Sequence, residues 1–383
     1  MNRLRLLYYQ TEYPANLVCL EAFQALGCAV KAFACPLANK EQEEVFRPMI
    51  CQLVHAQKAE AIFSFGYFPA LSDVCEKEGI LYLSYCAKAP CLEMFSRNIG
   101  NTCNYFFVAD SALAGEFPLR GARKVYYLPL APVLSVKTES VDYARQDGIS
   151  FAGSLYEDNL YKHFAKLPDS VRGFFDGITE AQVHLYGYSL FEELLEDKIL
   201  EVLMQVVSIE QAKNNKDKYR YTIQHFFLEQ QTTKLERSRI VGRMEEQFGE
   251  KFRFYTQEKL ESYGRRYTGG LLYGEPLAAL YHSSAVNLNI TNRAYTCGIP
   301  LKVWDILACG GFLLSNYQAD FDGLLEPGRD FVMYGSLDEL AELAGYYLEH
   351  NEERGKMARE ARERVLAEHN WQRRAESILS VIG

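Results

Sequence analysis

AVNLNITNRAYTCGIPLKVWDILACGGFLLSN, residues 285–316, reads in succession as strand, turn, helix and strand. AVNLNI is a short β-rich apolar run, Gly298 and Pro300 shape a turn, and the spacing from about 300 to 308 is helical. Cys309-Gly310-Gly311 then stops the helix ahead of GFLLSN. Strands that alternate with helices in this way pair in parallel, in a sheet covered on both faces.

The same order extends in both directions. FRFYT (252–256) and a helix near 275–283 precede the stretch, and DFVMY (330–334) follows it. The first 135 residues run LRLLYYQ, a helix through Leu17 to Leu26, AVKAFAC, a helix near 40–57, AIFSFG, a helix near 69–78 and LYLSYC. CNYFFVAD, a short helix from Ser111 and VYYLPLA complete them. An α/β fold with two Rossmann-like domains is expected. Residues 135–148, SVKTESVDYARQDG, are polar and read as a linker, placing a first domain at 1–146 and a second at 147–369. Residues 157–250 keep helical periodicity for far longer than the dozen or so residues a crossover requires, so they read as a helical insertion in the second domain. Ser336 with Glu339 forms a capping box, and Asn351 and Asn370 can cap the next two helices. The last helix, within 370–383, carries an apolar face of Trp371, Ile378, Leu379 and Ile382 that must dock.

Composition excludes several classes of function. Hydrophobic residues are 48% and charged residues 24% of the 383, the balance of a globular protein. A net charge of −9 leaves no global basic field, so nucleic acid is not an expected partner. No apolar run approaches the roughly 20 residues that span a bilayer, and the start lacks a signal-type apolar region; a cytosolic protein is expected. The ten cysteines form no CxxC pair and no zinc spacing with histidine, so they read as buried thiols and no metal site is expected. No GxGxxG follows the first strand and no GxxxxGK[ST] occurs, which weighs against dehydrogenases and P-loop NTPases. Asp320-Phe-Asp322 has the spacing of a metal-diphosphate motif but reads as a solvated loop, and KNNKDKYR (213–220) reads as a solvated turn.

Ligands of doubly wound sheets bind beyond the carboxyl ends of the strands. Gly153 and Ser154, after ISFAGSL begins as a strand, permit close backbone approach to a phosphate or simply make a tight turn. Arg293 and Lys302, with a helix N-terminus between them, make an anion site, and Asp305 one turn on can accept from a ribose diol. The alternative reading is that Asp305 complements the helix dipole and Lys302 is solvated.

GIPLKVWDILACGGFLLSNYQADF (298–321), with a charged helical tail ending LAEHNW (366–371), resembles the C-terminal half of CgeB-like, spore maturation protein-like glycosyltransferases. These have the GT-B fold and are related to family 4 glycosyltransferases. AIFSFGYFPALSDVCEKEGILYLSY (61–85), CNYFFVADSALAGEF (103–117), VYYLPLA and ISFAGSLYEDNLY (149–161) resemble the N-terminal portion and interdomain region of the same group. The resemblance implies two Rossmann-like domains facing across a cleft, with the final helix crossing back onto the first. It implies a nucleotide-diphosphate-sugar donor, UDP-linked sugars among the candidates, held mainly by the second domain. The acceptor, entering from the first, would be a surface or flagellar protein, a glycan or a small molecule, and transfer would need neither a catalytic metal nor a separate cofactor.

Carried over residue by residue, Gly153 and Ser154 would line the diphosphate, and Arg293 and Lys302 would neutralise it. Asp305 would hold the ribose, and Gly310-Gly311 would let the next loop approach. Two positions depart from the group's pattern. Of the paired glutamates eight positions apart in family 4, the second is Asp305 here and the first is Cys297; an acidic position in the 85–90 stretch is Lys88. An inverting transfer needs a general base at the mouth of the first domain, and Glu12 is the candidate, with Asp73 behind it; a helix-start acid is the alternative reading of Glu12. Cys297 and Lys88 also favour a rival class, a GT-B protein that binds a nucleotide or sugar or scaffolds partners without turnover. A nucleotide-sugar epimerase of the same fold is a further alternative.

Overall fold

The computed structural model describes residues 4–35, 47–136, 143, 146–258 and 269–382. They fall into two units: 1–133 with 297–301 and 367–383, and 134–296 with 302–366. The chain thus leaves the first unit at Val133, earlier than position 146, and re-enters it at Ala367. Part of the expected linker, 137–142 with 144 and 145, and the 40–46 portion of an expected helix lie outside the described residues.

The first unit holds strands β1 (Arg5–Tyr9), β2 (Ala29–Phe33), β3 (Ala61–Phe65), β4 (Leu81–Cys86), β5 (Asn104–Val108) and β6 (Val125–Tyr127), all parallel in the order β2-β1-β3-β4-β5-β6. Every residue of β3 is buried, as the unbroken apolar run AIFSF requires of a strand covered on both faces. Helices α1 (Asn16–Ala25), α2 (Arg47–Gln57), α3 (Pro69–Glu78) and α4 (Ser111–Leu119) connect the strands. Pro69 opens α3 where no N–H is missed, and Gly79, at φ +68°, closes it. Asp110 caps α4 through Leu113 N–H, while its other oxygen accepts from Cys297 N–H and Gly298 N–H at 3.1 and 2.9 Å.

The second unit holds β7 (Ile149–Ala152), β8 (Phe252–Tyr255), β9 (Val286–Asn289), β10 (Leu313–Asn316) and β11 (Val332–Tyr334), again all parallel, in the order β11-β10-β9-β7-β8. Between β7 and β8 come α5 (Asp169–Gln182), α6 (Leu190–Leu194), α7 (Asp197–Val206), α8 (Lys216–Thr222), a π-helical turn (Ile223–Leu228) and α9 (Glu229–Phe248). This insertion has its own core, with Phe164, Phe175, Leu200, Leu203 and Leu228 buried together. The sheet's core, including Phe151, Phe254, Leu288 and Leu314, takes in Ile240, Val241 and Met244 from α9.

Helices α10 (Glu275–Ser283), α11 (Leu301–Ala308), α12 (Leu337–Glu349) and α13 (Asn351–Glu368) complete the second unit, and α14 (Trp371–Ser380) lies on the first beside α1. Trp371 meets Phe65 and Tyr85 at ring distances of 5.5 and 5.8 Å, and the buried Arg374 donates to Pro129 and Leu130 carbonyls. Ser336 accepts from Glu339 N–H at 3.2 Å, and Asn370 caps α14 through Arg373 N–H. Asn351, in contrast, spends its side-chain oxygen on Arg354 Nη1.

Candidate functional site

In each sheet the strand order reverses once, and crevices form at such points beyond the carboxyl ends of the strands. In the second unit the reversal lies between β7 and β9, so the Gly153–Tyr156 loop borders Ile290–Arg293. A Cβ on Gly153 would sit 3.1 Å from both Lys302 Nζ and the Phe151 ring, so a side chain there would press on both. Lys302, on the first turn of α11, lies 4.8 Å over the Phe151 ring and has no hydrogen-bond or ion-pair partner among the described residues. Burial, and then the nearby Arg237, push its ammonium well below the usual lysine range.

The next residues of the loop are tied down. Arg237 of α9 donates to Ser154 O at 2.6 Å and, through Nε, to Ile290 O at 3.1 Å, so one guanidinium clasps both sides of the reversal point. Tyr156 holds φ at +61°, and its hydroxyl accepts from Asn292 Nδ2 at 2.8 Å. Ser154 Oγ, Leu155 N–H and Tyr156 N–H all donate to the Glu258 carboxylate.

Several residues expected at a diphosphate occupy other positions. Arg293 donates to Glu236 at 2.7 Å and to the carbonyls of Leu185 and Val183 at 2.6 and 2.9 Å, with Tyr186 also bonded to Glu236. Burial opposes its charge, but Glu236 and Tyr186 hold its pKa above the usual value. Its donors therefore fasten the helical insertion to the β9 loop instead of facing a ligand. Asp305 is buried, with Leu134 N–H at 2.9 Å on one oxygen and Tyr273 hydroxyl at 2.6 Å on the other. A carboxylate with both oxygens engaged inside the protein is a wall of the site and not a free ribose acceptor. Gly310 and Gly311 close the far end of α11 and lead into the amino end of β10, opposite the edge where ligands bind. Gly310 takes φ +72°, and a Cβ on Gly311 would lie 2.7 Å from Tyr281 O, so these glycines serve helix closure and packing.

In the first unit the reversal lies between β1 and β3. Glu12 is exposed in the turn before α1, and Lys88, after β4, is exposed with Nζ 5.8 Å over the Tyr13 ring. Asp73, the second candidate base, lies on α3 and pairs with Lys77 one turn on.

Arg237, Glu236 and Glu258 are functional candidates that no motif announced. The first two carry a readable signal: the buried stripe of Ile240, Val241 and Met244, projected back at helical spacing, lands on Glu236, Arg237, Thr232 and Thr233. Polar residues in phase with an apolar stripe are buried with partners. Glu258 offered no comparable signal.

Residues 222–380 match the family model described as glycosyl transferase-like. The chain is a transferase. That match spans α9, β8 to β11 and the whole of α11, hence the β9 side of the crevice but not the loop after β7. No curated protein sequence matches the chain. Among solved structures, Anabaena HepE in complex with UDP and glucose is similar at a TM-score of 0.52 and 12% identity, covering 99% of each chain. Sucrose-phosphate synthase from Thermosynechococcus elongatus is similar at 0.51 and 11%, covering 99% of this chain and 98% of that one. A glycosyltransferase from Rickettsia africae gives 0.53 and 8%, with 99% of each covered. At such identities the likeness is one of fold, and the fold of this transferase is GT-B. No helix among the described residues is long and apolar enough to cross a membrane.

Proposed function

We propose that the chain transfers a sugar from a nucleotide-diphosphate donor to an acceptor hydroxyl, with the donor seated at the β7/β9 reversal point. The observation that carries this is Lys302. An ammonium held against Gly153, driven toward neutrality by burial and without a protein partner among the described residues, is stabilised most by an incoming anion. The Anabaena relative binds UDP and glucose with the same fold, which favours UDP as the leaving group here.

Bond breaking at the anomeric carbon leaves negative charge on the diphosphate. Lys302, whose charge the bound anion restores, supplies positive charge where that anion forms, the task a divalent metal performs in other transferases, so transfer proceeds in EDTA. Glu12 takes the acceptor proton as general base, and Lys88 beside Tyr13 orients an acceptor of CgeB-like type, a surface or flagellar protein or a glycan. The free thiols of all ten cysteines suit a reducing cytosol.

The test is a thermal-shift series with UDP, GDP, dTDP and CDP, with and without EDTA. A nucleotide at 100 times its Kd stabilises by about 2.7 kcal/mol. A shift with one base that survives EDTA is expected; the absence of any shift refutes the donor site.

A further inference from the structure

The loop after β7 already holds an anion of the chain's own. Leu155 N–H donates to one Glu258 oxygen at 2.8 Å, and Tyr156 N–H donates to the other at 3.0 Å. Ser154 Oγ joins them on the second oxygen. Two successive backbone N–H groups converge on one carboxylate because Tyr156 adopts φ +61°, a conformation that side-chain-bearing residues rarely take. Consecutive N–H groups with a left-handed residue form an anion-binding concavity of the kind that holds phosphates. Glu258 arrives from the segment after β8, the parallel neighbour of β7, so both lie at the carboxyl edge of the sheet.

The seat and the cation beside it are not matched to each other. Lys302 stands against Gly153, one residue before the seat, and forms no ion pair with Glu258. The carboxylate therefore satisfies the backbone donors while the ammonium has no counter-charge bonded to it among the described residues. A diphosphate differs from a carboxylate in having oxygens enough for both.

We propose that Glu258 is a resident counter-anion that the donor's diphosphate displaces, making it a specificity-determining residue for this transferase. It competes for Leu155 N–H, Tyr156 N–H and Ser154 Oγ, and only a ligand that can also neutralise Lys302 wins the exchange. A nucleoside without phosphates gains nothing from the seat and leaves Glu258 in place. This proposal rests on the reading of the β7/β9 crevice as the donor site.

The experiment is titration calorimetry on the full chain, in wild type, Glu258→Ala and Glu258→Gln, with UDP, GDP, dTDP, CDP, uridine and inorganic pyrophosphate. The preferred nucleoside diphosphate is expected to bind at least 10-fold tighter to Glu258→Ala, and by a smaller factor to Glu258→Gln, which keeps an acceptor without the charge. Uridine affinity is expected to be unchanged. Diphosphate affinity that is equal or weaker in both variants, with wild-type melting temperatures, overturns the proposal. Should Glu258→Ala fold poorly, Glu258→Gln alone decides, and no tightening there overturns it. If pyrophosphate tightens while no nucleoside diphosphate binds any form, the seat stands and the donor reading falls. If neither binds, both fall.

Discussion

The β7/β9 crevice of the second unit and the β1/β3 crevice of the first occupy the same topological position in two parallel sheets, but they are furnished differently. Around β7/β9 the charged groups are withdrawn from water: Arg237 and Glu236 are buried and Arg293 nearly so, all three hydrogen-bonded, and Lys302 stands beside them without a partner among the described residues. Around β1/β3 the walls are aromatic, with Tyr13 and Phe65 rings 4.6 Å apart and Tyr9 and Phe68 5.1 Å apart, while the charged Glu12 and Lys88 are exposed. Topology provides a crevice in both; the proposed donor site is the one that carries desolvated positive charge, which water screens little. The acceptor is proposed at the aromatic-walled crevice with its exposed polar groups.

This contrast can be broken at graded points. The largest effect belongs to Glu236→Ala, which strands the buried Arg293; about 3–5 kcal/mol of stability should be lost in urea unfolding. A loss under 1 kcal/mol would mean that the network is wet and the contrast overstated. Next comes Glu12→Gln on the other side of the comparison, expected to lower kcat by about 10²-fold or more with nucleotide affinity unchanged. Unchanged turnover with an identified acceptor would remove Glu12 as the base.

Lys302→Met should weaken nucleoside diphosphate binding by about 1.5–3 kcal/mol, the worth of a charged hydrogen bond, measured by calorimetry. The same variant should melt higher than wild type near neutral pH. The sign follows from linkage: a lysine whose folded pKa is lowered binds fewer protons folded than unfolded, so it costs stability as pH falls from the ordinary lysine range to its lowered value. The two melting curves should converge toward alkaline pH. A diphosphate restores the charge, so binding should take up a proton between those two pKa values and weaken as pH rises through that window. Calorimetry in buffers of different ionisation enthalpy reads the proton directly. The smallest effect is expected for Glu60→Gln, whose partner Arg5 is exposed on the first unit; a change below about 1 kcal/mol would show how little a solvated pair contributes.

The strand and helix order was legible because fully buried parallel strands must be apolar runs, as AIFSF and LYLSYC are, and because Gly79, Gly310 and Pro69 punctuate the helices where the backbone demands them. Site chemistry was less legible. Lys302 and Gly153 were singled out as separate motifs, and their proximity could not be read from positions 149 residues apart. Arg293, Asp305 and Gly311 have the residue types of a phosphate and ribose site, but type does not say whether a donor or acceptor is already engaged. Glu236, Leu134 N–H with Tyr273, and the backbone near Tyr281 engage them here.

The sequence by itself determined two α/β units, a long helical insertion and the loops that carry polar chemistry, since periodicity and turn residues act over a few positions. Tertiary structure alone decided which of those polar groups face a ligand. Burial and hydrogen-bond satisfaction depend on neighbours brought from distant segments: Arg237 and Glu258 reach the Ser154 loop from 83 and 104 residues away.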